Sequence, residues 1–506
     1  MTVKNDADKK RLTPLEIEQK EFKKIGYDLV DKISELLATM NEHKVVKYAD
    51  SNSIRKIINS TETLPQQGSD SSKLMQETSD LLIEHSLYNG HPNFYGYITS
   101  SPTPIGILGD LLASAINQNV GAFQLSPVAT EIEAQTIRWI AEFIKYPVNC
   151  GGILVSGGNM ANFICFLAAR VAKAKHNIRE AGAIHPEGKK LFVYASKETH
   201  TWVQKAADLF GLGTDAIRWI DTDTNFHIDL TKLKKAVEDD IANGDLPMMI
   251  VGTAGTVSTG AVDPLTELAH FCKEKDIWFH VDGAYGAFAS IAENTDPNIH
   301  GLSLADSVAV DPHKWLYAPL EAGCALVRNI EHLRNAFSYH PPYYRFDEET
   351  TNYFDLGMQN SRGFRALKIW LAFKQVGSFG YKNMIETDID LTKLLYQSVV
   401  ETNELQAYSC NLSIATFRFV PQDLESKIGS PDVEEYLNML NEKLLTRLKE
   451  SGEIFLSNAV IGGVFTLRTC IVNFRTSAEH VRALPEVVVR HGKALDKQLR
   501  VEHKLS

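Results

Sequence analysis

Seven short runs rich in apolar and β-branched residues punctuate the middle of the chain: GILVSG (152–157), KLFVYAS (190–196), AIRWID (216–221), MMIVGTAG (248–255), IWFHVDGAYG (277–286), SVAVDPHKW (307–315) and CALVR (324–328). From about residue 104 onward, helical stretches separate such runs. This alternation predicts an α/β fold, a mainly parallel sheet covered by helices on both faces. In such a sheet ligands bind beyond the carboxyl ends of the strands, so residues that carry chemistry are expected there.

The flanks read differently. Thr13-Pro14-Leu15-Glu16 has the form of an N-cap, a proline at the first helical position and a capping-box glutamate, so a helix is predicted to start there. Phe22, Ile25, Leu29, Ile33, Leu36 and Met40 then recur at three- and four-residue steps and give that helix one apolar face. Such an arm has little of its own to pack on. The polar region NSTETLPQQGSDSSK reads as a loop before another helix around Leu74 to His85. After a helix near Gly363 to Val376 comes a long helical stretch, then two strand-like runs, LSIATFRFVP and FTLRTCIVNFR. The expected organisation is a helical arm (1–103), a large α/β domain (104–378) and a small α+β C-terminal domain (379–506).

Charge and cysteine usage narrow the partners. With 52 Lys+Arg against 63 Asp+Glu, the net charge is −11 and no basic cluster tracks a phosphate backbone, so nucleic acid is not expected. No uncharged apolar run is long enough to span a bilayer, and none follows the charged N-terminus as a leader would. The 6 cysteines are far apart without metal spacing, which suits reduced thiols, no metal site and a cytoplasmic setting.

Three strand ends carry chemistry. VSGGNMAN (155–162) turns through two glycines into an apolar helix, so backbone N–H groups and the helix dipole face one point, as in a phosphate cradle. Asp282 ends an almost wholly apolar strand, where a carboxylate needs a cationic partner such as a protonated ring nitrogen. Lys314 stands at the mouth of the sheet between His313 and Trp315, where a desolvated amine becomes a usable nucleophile toward an aldehyde. Each alone also fits a plainer role: a geometric turn, an aspartate paired internally, a surface lysine. Together and in this order they are the three fixings of pyridoxal phosphate.

At this point the chain resembles the fold-type-I pyridoxal-phosphate enzymes, and among them the group II amino-acid decarboxylases, whose members act on aromatic amino acids, tyrosine, tryptophan, histidine and glutamate. The resemblance runs through HPNFYGYITSSPTPIG (91–106), NQNVGAFQLSPVATEIE (117–133), SGGNMAN, ETHTWVQKA (198–206), GTAGTVSTGAVDPL (252–265), HVDGAYGAFA (280–289), DPHKWL (311–316) and RGFRALKIW (362–370). It implies that Lys314 forms the Schiff base, Asp282 pairs with the ring nitrogen, Ala284 lies against the ring and His200 stacks on its other face. Gly158, Asn159 and His313 fall near the phosphate, and Thr256 is a further cofactor contact.

Within the long polar and aromatic segment AFSYHPPYYRFDEETTNYFDL (336–356), whose composition suits a lid, Tyr343 matches the family tyrosine that returns a proton to the α-carbon. Tyr344 and Tyr339 are alternatives for that part. HKW and Ser361 lean toward tyrosine or DOPA over tryptophan, and Tyr97, Asn119, Gly121 and Ser361 are candidate substrate-pocket residues. The resemblance also implies a homodimer in which 92–97 and 119–123 line the neighbour's site. Rival readings are another fold-type-I activity, such as a decarboxylation-dependent aldehyde synthase or a carbon–carbon lyase, an acidic-amino-acid decarboxylase and a catalytically silent scaffold.

Overall fold

Each of the seven runs becomes a strand; helices cover both faces of the sheet, so its inner strands are filled by apolar residues, while the edge strand Ile217–Ile220 keeps Arg218 half-buried and Trp219 exposed. The computed structural model describes residues 13–339 and 350–503. The strands are β1 (Gly151–Val155), β2 (Leu191–Ser196), β3 (Ile217–Ile220), β4 (Leu246–Thr253), β5 (Trp278–Asp282), β6 (Ser307–Val310) and β7 (Gly323–Val327). Their order is β1-β7-β6-β5-β4-β2-β3. Only β7 runs antiparallel to its neighbours β1 and β6; the other pairings are parallel. The carboxyl ends of β1, β2, β4, β5 and β6 therefore open on one edge.

A second, antiparallel sheet follows, with β8 (Leu405–Asn411), β9 (Ile414–Phe419), β10 (Ser457–Ile461) and β11 (Val464–Cys470) in the order β10-β11-β9-β8. β9 and β11 are the two runs read from sequence. β10 is an edge strand with alternating burial, and it joins β11 through Gly462 and Gly463, both at positive φ (57° and 87°), a two-residue turn that glycine makes without strain. The helix Ala366–Val400 packs on β8 and β9 and on the helices Pro104–Ile116 and Pro127–Phe143, and is broken at Gly377 (φ 68°, ψ 168°).

One expectation needs correction. The N-terminal helix is Gln19–Ala38, not a helix from Thr13, because Thr13 to Glu16 closes as a turn through Glu16 N–H to Thr13 O at 3.1 Å. Proline after a threonine suits the second position of such a turn as well as a helix start. Between the arm and the sheet lie the helices Pro104–Ile116 and Pro127–Phe143, and the first strand begins at Gly151, where the run GILVSG was read. The arm's apolar face is present but half open: it packs on the helix Ser71–His85, where Lys32 Nζ meets Ser79 Oγ at 2.9 Å, while Phe22 and Tyr27 stay 66% and 61% exposed.

Candidate active site

The open edge of the large sheet holds a cavity of about 370 Å³, walled by the turn after β1, the end of β5 and the turn after β6. Its first wall is made by two glycines. Gly157 has φ 135° and ψ 179°, a conformation essentially restricted to glycine, and it lies so close to β7 that a Cβ on Gly323 would stand 2.5 Å from its carbonyl carbon. A Cβ on Gly158 would meet Asp311 Oδ2 at 2.6 Å. The helix Gly158–Lys173 starts here with no side-chain cap, and Gly158, Asn159 and Met160 of its first turn all line the cavity. Uncapped N–H groups at a helix start make a seat for an anion.

Asp282 forms the second wall, only 6% exposed. Trp202 Nε1–H donates to its Oδ2 at 2.8 Å and the Ala284 N–H to its Oδ1 at 3.2 Å, so the carboxylate is aimed before any ligand arrives. Behind it, Trp278 donates to Ser307 Oγ (2.8 Å), Ser307 pairs with His280 Nδ1 (2.9 Å), His280 Nε2 with Asn162 Oδ1 (2.7 Å), and Asn162 Nδ2 donates to Gly158 O (2.9 Å). A neutral His280 satisfies that relay in one direction, linking β5 to the anion seat.

Burial pushes the His280 pKa down to about 4 from an ordinary 6.5. Above pH 6.5 both folded and unfolded chains hold it neutral; as pH falls toward 4 only the unfolded chain takes up the proton. Stability present at neutral pH is therefore lost between 6.5 and 4, by about 3 kcal/mol from this group. Urea midpoints measured from pH 7.5 to 4.5 check this: His280→Gln should flatten the slope, and an identical slope in both proteins would count against it.

Lys314 supplies the third wall. Its Nζ is 3.1 Å from Asp311 Oδ2, in a side chain 21% exposed, and it is the lysine that lines the cavity. His313 donates Nδ1–H to Ala322 O at 2.7 Å and turns Nε2 toward Asp311 at 3.7 Å; burial holds its pKa below the ordinary histidine range, with Asp311 pulling the other way. Ser100 Oγ–H fixes the His313 carbonyl at 2.8 Å.

The sequence-derived residues divide into two sets. Gly158, Asn159, His200, Asp282, Ala284, His313 and Lys314 all line this one cavity. His200 sits at its mouth, exposed, with Nδ1 accepting from Trp202 N–H at 3.2 Å. Thr256 does not line it: its hydroxyl pairs with Thr259 Oγ1 at 2.9 Å inside the turn after β4, and Val257 faces the cavity instead. Tyr97, Asn119, Gly121 and Ser361 do not line it within one chain either. Asn119 Oδ1 accepts from Gly121 N–H (3.1 Å) and Arg362 N–H (3.0 Å), which staples that turn to the segment around Ser361. Tyr339 lies under the Arg179 guanidinium, 4.0 Å from its ring, away from the cavity. Tyr343 and Tyr344 fall outside the described residues.

Sequence reasoning missed Asp311, Trp202 and Tyr285. Asp311, three residues before Lys314 in DPHK, and Trp202, two after His200, were within the motifs already read, but only the fold shows what they touch. Arg468 on β11 does not line the cavity. It is buried, donates from Nη1 to Tyr97 O at 3.1 Å, and has Nε and Nη2 without a partner among the described residues.

The donor set fits pyridoxal phosphate. An uncapped helix start answers a phosphate, a pre-aimed buried carboxylate answers a ring nitrogen, and a primary amine answers an aldehyde. The scale of the cavity agrees with a small organic cofactor.

Comparison with known proteins agrees. The chain is 32% identical over 473 residues to an aromatic-L-amino-acid decarboxylase of Bacillus atrophaeus, covering 92% of this chain and 94% of that one. It is 28% identical to a phenylacetaldehyde synthase of a Rosa hybrid cultivar, with 95% of each chain covered. Among solved structures, Catharanthus roseus tryptophan decarboxylase in complex with L-tryptophan superposes with a TM-score of 0.83 at 28% identity, covering 96% of this chain and 100% of that one. The family model described as the pyridoxal-dependent decarboxylase conserved domain matches residues 51–419, which hold the whole large sheet, and so the chain belongs to the pyridoxal-dependent decarboxylases.

Proposed function

We propose that this pyridoxal-phosphate-dependent amino-acid decarboxylase acts on an aromatic L-amino acid, tyrosine or DOPA first and tryptophan or 5-hydroxytryptophan next, and releases the amine and CO2. The observation that carries the chemistry is the convergence of Lys314, Asp282 and the uncapped helix start on one cavity. The aromatic preference is supported by the HKW sequence and by the names of the relatives.

The cofactor, when bound, supplies an electron sink for the bond between the α-carbon and its carboxylate. Lys314 would hold it through its aldehyde, Gly158, Asn159 and His313 would take the phosphate, and His200 and Ala284 would contact the ring. Asp282 keeps the ring nitrogen protonated, with Trp202 fixing the carboxylate for that task. Asp311 orients the Lys314 amine toward the cavity. Tyr343 is proposed as the donor of the proton that replaces CO2 at the α-carbon.

Withholding that proton leaves the α-carbon open to O2, and with one water the products become aldehyde, ammonia and hydrogen peroxide alongside CO2. The test is mass spectrometry after incubation with a mixture of the twenty amino acids, DOPA and 5-hydroxytryptophan. Wild type should yield an aromatic amine, and Tyr343→Phe should shift the product by tenfold or more toward aldehyde, on the order expected for losing a proton donor. Aldehyde from wild type itself would overturn the decarboxylase reading in favour of a synthase. The amine of glutamate or aspartate from the same mixture would instead establish an acidic substrate.

The active form is proposed to be a homodimer. Leu108, Leu111, Leu112 and Ile116 of the helix Pro104–Ile116 are exposed, an apolar surface that a second copy would bury. Sedimentation should give a dimer, and deleting residues 1–40 should give an inactive monomer. A fully active monomer would refute the idea.

A further inference from the structure

Lys314 stands on a turn whose far side is held by one side chain that no step above uses. The turn is tight: Lys314 N–H donates to Asp311 O at 2.8 Å, Tyr317 N–H to Lys314 O at 3.2 Å, and Tyr317 itself has φ 53°, a left-handed conformation disfavoured for a residue with a Cβ. Such a backbone persists only where the surroundings fix it. Trp315 Nε1–H and Tyr317 O–H both donate to the same oxygen, Asp388 Oδ2, at 2.9 and 2.6 Å. Trp315 also stacks on Tyr285, a cavity wall, with centroids 4.9 Å apart, and Tyr317 stacks on Tyr381 at 6.4 Å.

We propose that Asp388 is a positioning residue for the reaction: by receiving Trp315 and Tyr317 on one carboxylate oxygen, it fixes the turn that carries Lys314. Its place in the fold extends that role. Asp388 lies beyond the break at Gly377, on the helix Ala366–Val400 that packs against β8 and β9, so the second sheet and the lysine turn share one anchor.

A carboxylate is an odd choice for a fully buried niche without a cation unless its charge is used by its two donors. Burial pushes the Asp388 pKa up to about 7, with the bonds from Tyr317 and Trp315 opposing. The titratable groups that face it are Tyr317 and Cys470, both raised by burial and neutral near pH 7, and no cation pairs with it among the described residues. Above that value the charged oxygen holds its two donors strongly; below it the protonated group holds them weakly.

The inference rests on Lys314 being the cofactor lysine, so Lys314→Ala is the control. If that variant keeps the wild-type visible band, the reading of the site itself fails; if the band is lost, the outcomes below concern Asp388 alone. The experiment measures the rate at which holoenzyme releases pyridoxal phosphate into excess apo-acceptor protein. Asp388→Ala should release it about tenfold faster or more at pH 8, the effect expected for losing bonds to a charged acceptor. Asp388→Asn should release it about threefold faster at pH 8 and at the wild-type rate at pH 6, since a neutral acceptor matches the protonated acid. Tyr317→Phe should accelerate release and add nothing to Asp388→Ala in the double variant.

Wild-type release from folded Asp388→Ala, parallel pH profiles for wild type and Asp388→Asn, or full additivity in the double variant would each overturn the proposal. Should Asp388→Ala fail to fold, Tyr317→Phe decides alone, because it loses only a hydroxyl: unchanged release overturns the proposal, and accelerated release supports it.

Discussion

Replacing Lys314 by alanine lowers turnover by on the order of 10⁴-fold or more, since removing a covalent nucleophile in other enzymes costs at least that much. The same variant loses the visible absorption that a lysine-linked cofactor gives. The reason is local. Among the described residues no other lysine lines the cavity, and Lys368, further along the chain, is committed to Asp110 at 3.1 Å. The variant also leaves Asp311 without its amine partner, so circular dichroism should accompany the assay to separate a lost fold from a lost nucleophile. Retention of both the band and turnover within about tenfold of wild type would sink the assignment.

Asp282→Asn is expected to lower kcat by about 10²–10³-fold while leaving the fold intact, the scale set by removing one pre-aimed electrostatic partner. Asparagine keeps the volume and can still accept from Trp202, so with the charge that holds a ring nitrogen protonated it gives up only the longer bond from the Ala284 N–H. Cofactor affinity should fall less than kcat, because the anion seat and Lys314 remain. A kcat within threefold of wild type at neutral pH would show that the carboxylate only braces Trp202, a structural role.

The inner strands of the large sheet were legible because they are buried on both faces, which leaves a nearly continuous apolar run; only the edge strand β3, with Arg218 and Trp219, departs from it. β10 was not legible: half its residues face solvent, and only the Gly462-Gly463 turn marks where it meets β11. The site was legible in the same uneven way. Gly158, Asp282 and Lys314 follow strand ends, where a glycine pair, a lone acid or a lone lysine breaks an apolar pattern and so stands out. Thr256 stood out too, yet its hydroxyl is absorbed by the turn it sits in.

The sequence by itself determined the fold class, the cofactor and the residues at three strand ends, because strand periodicity and the chemistry of an aldehyde, a ring nitrogen and a phosphate are local demands on residue type. Tertiary structure alone decided which partners complete them. Trp202 reaches Asp282 across 80 positions and Asp388 reaches Trp315 across 73, distances over which no periodicity carries information. What aims a carboxylate or braces a turn is whatever side chain packing brings within 3 Å, and packing is a property of the whole folded chain.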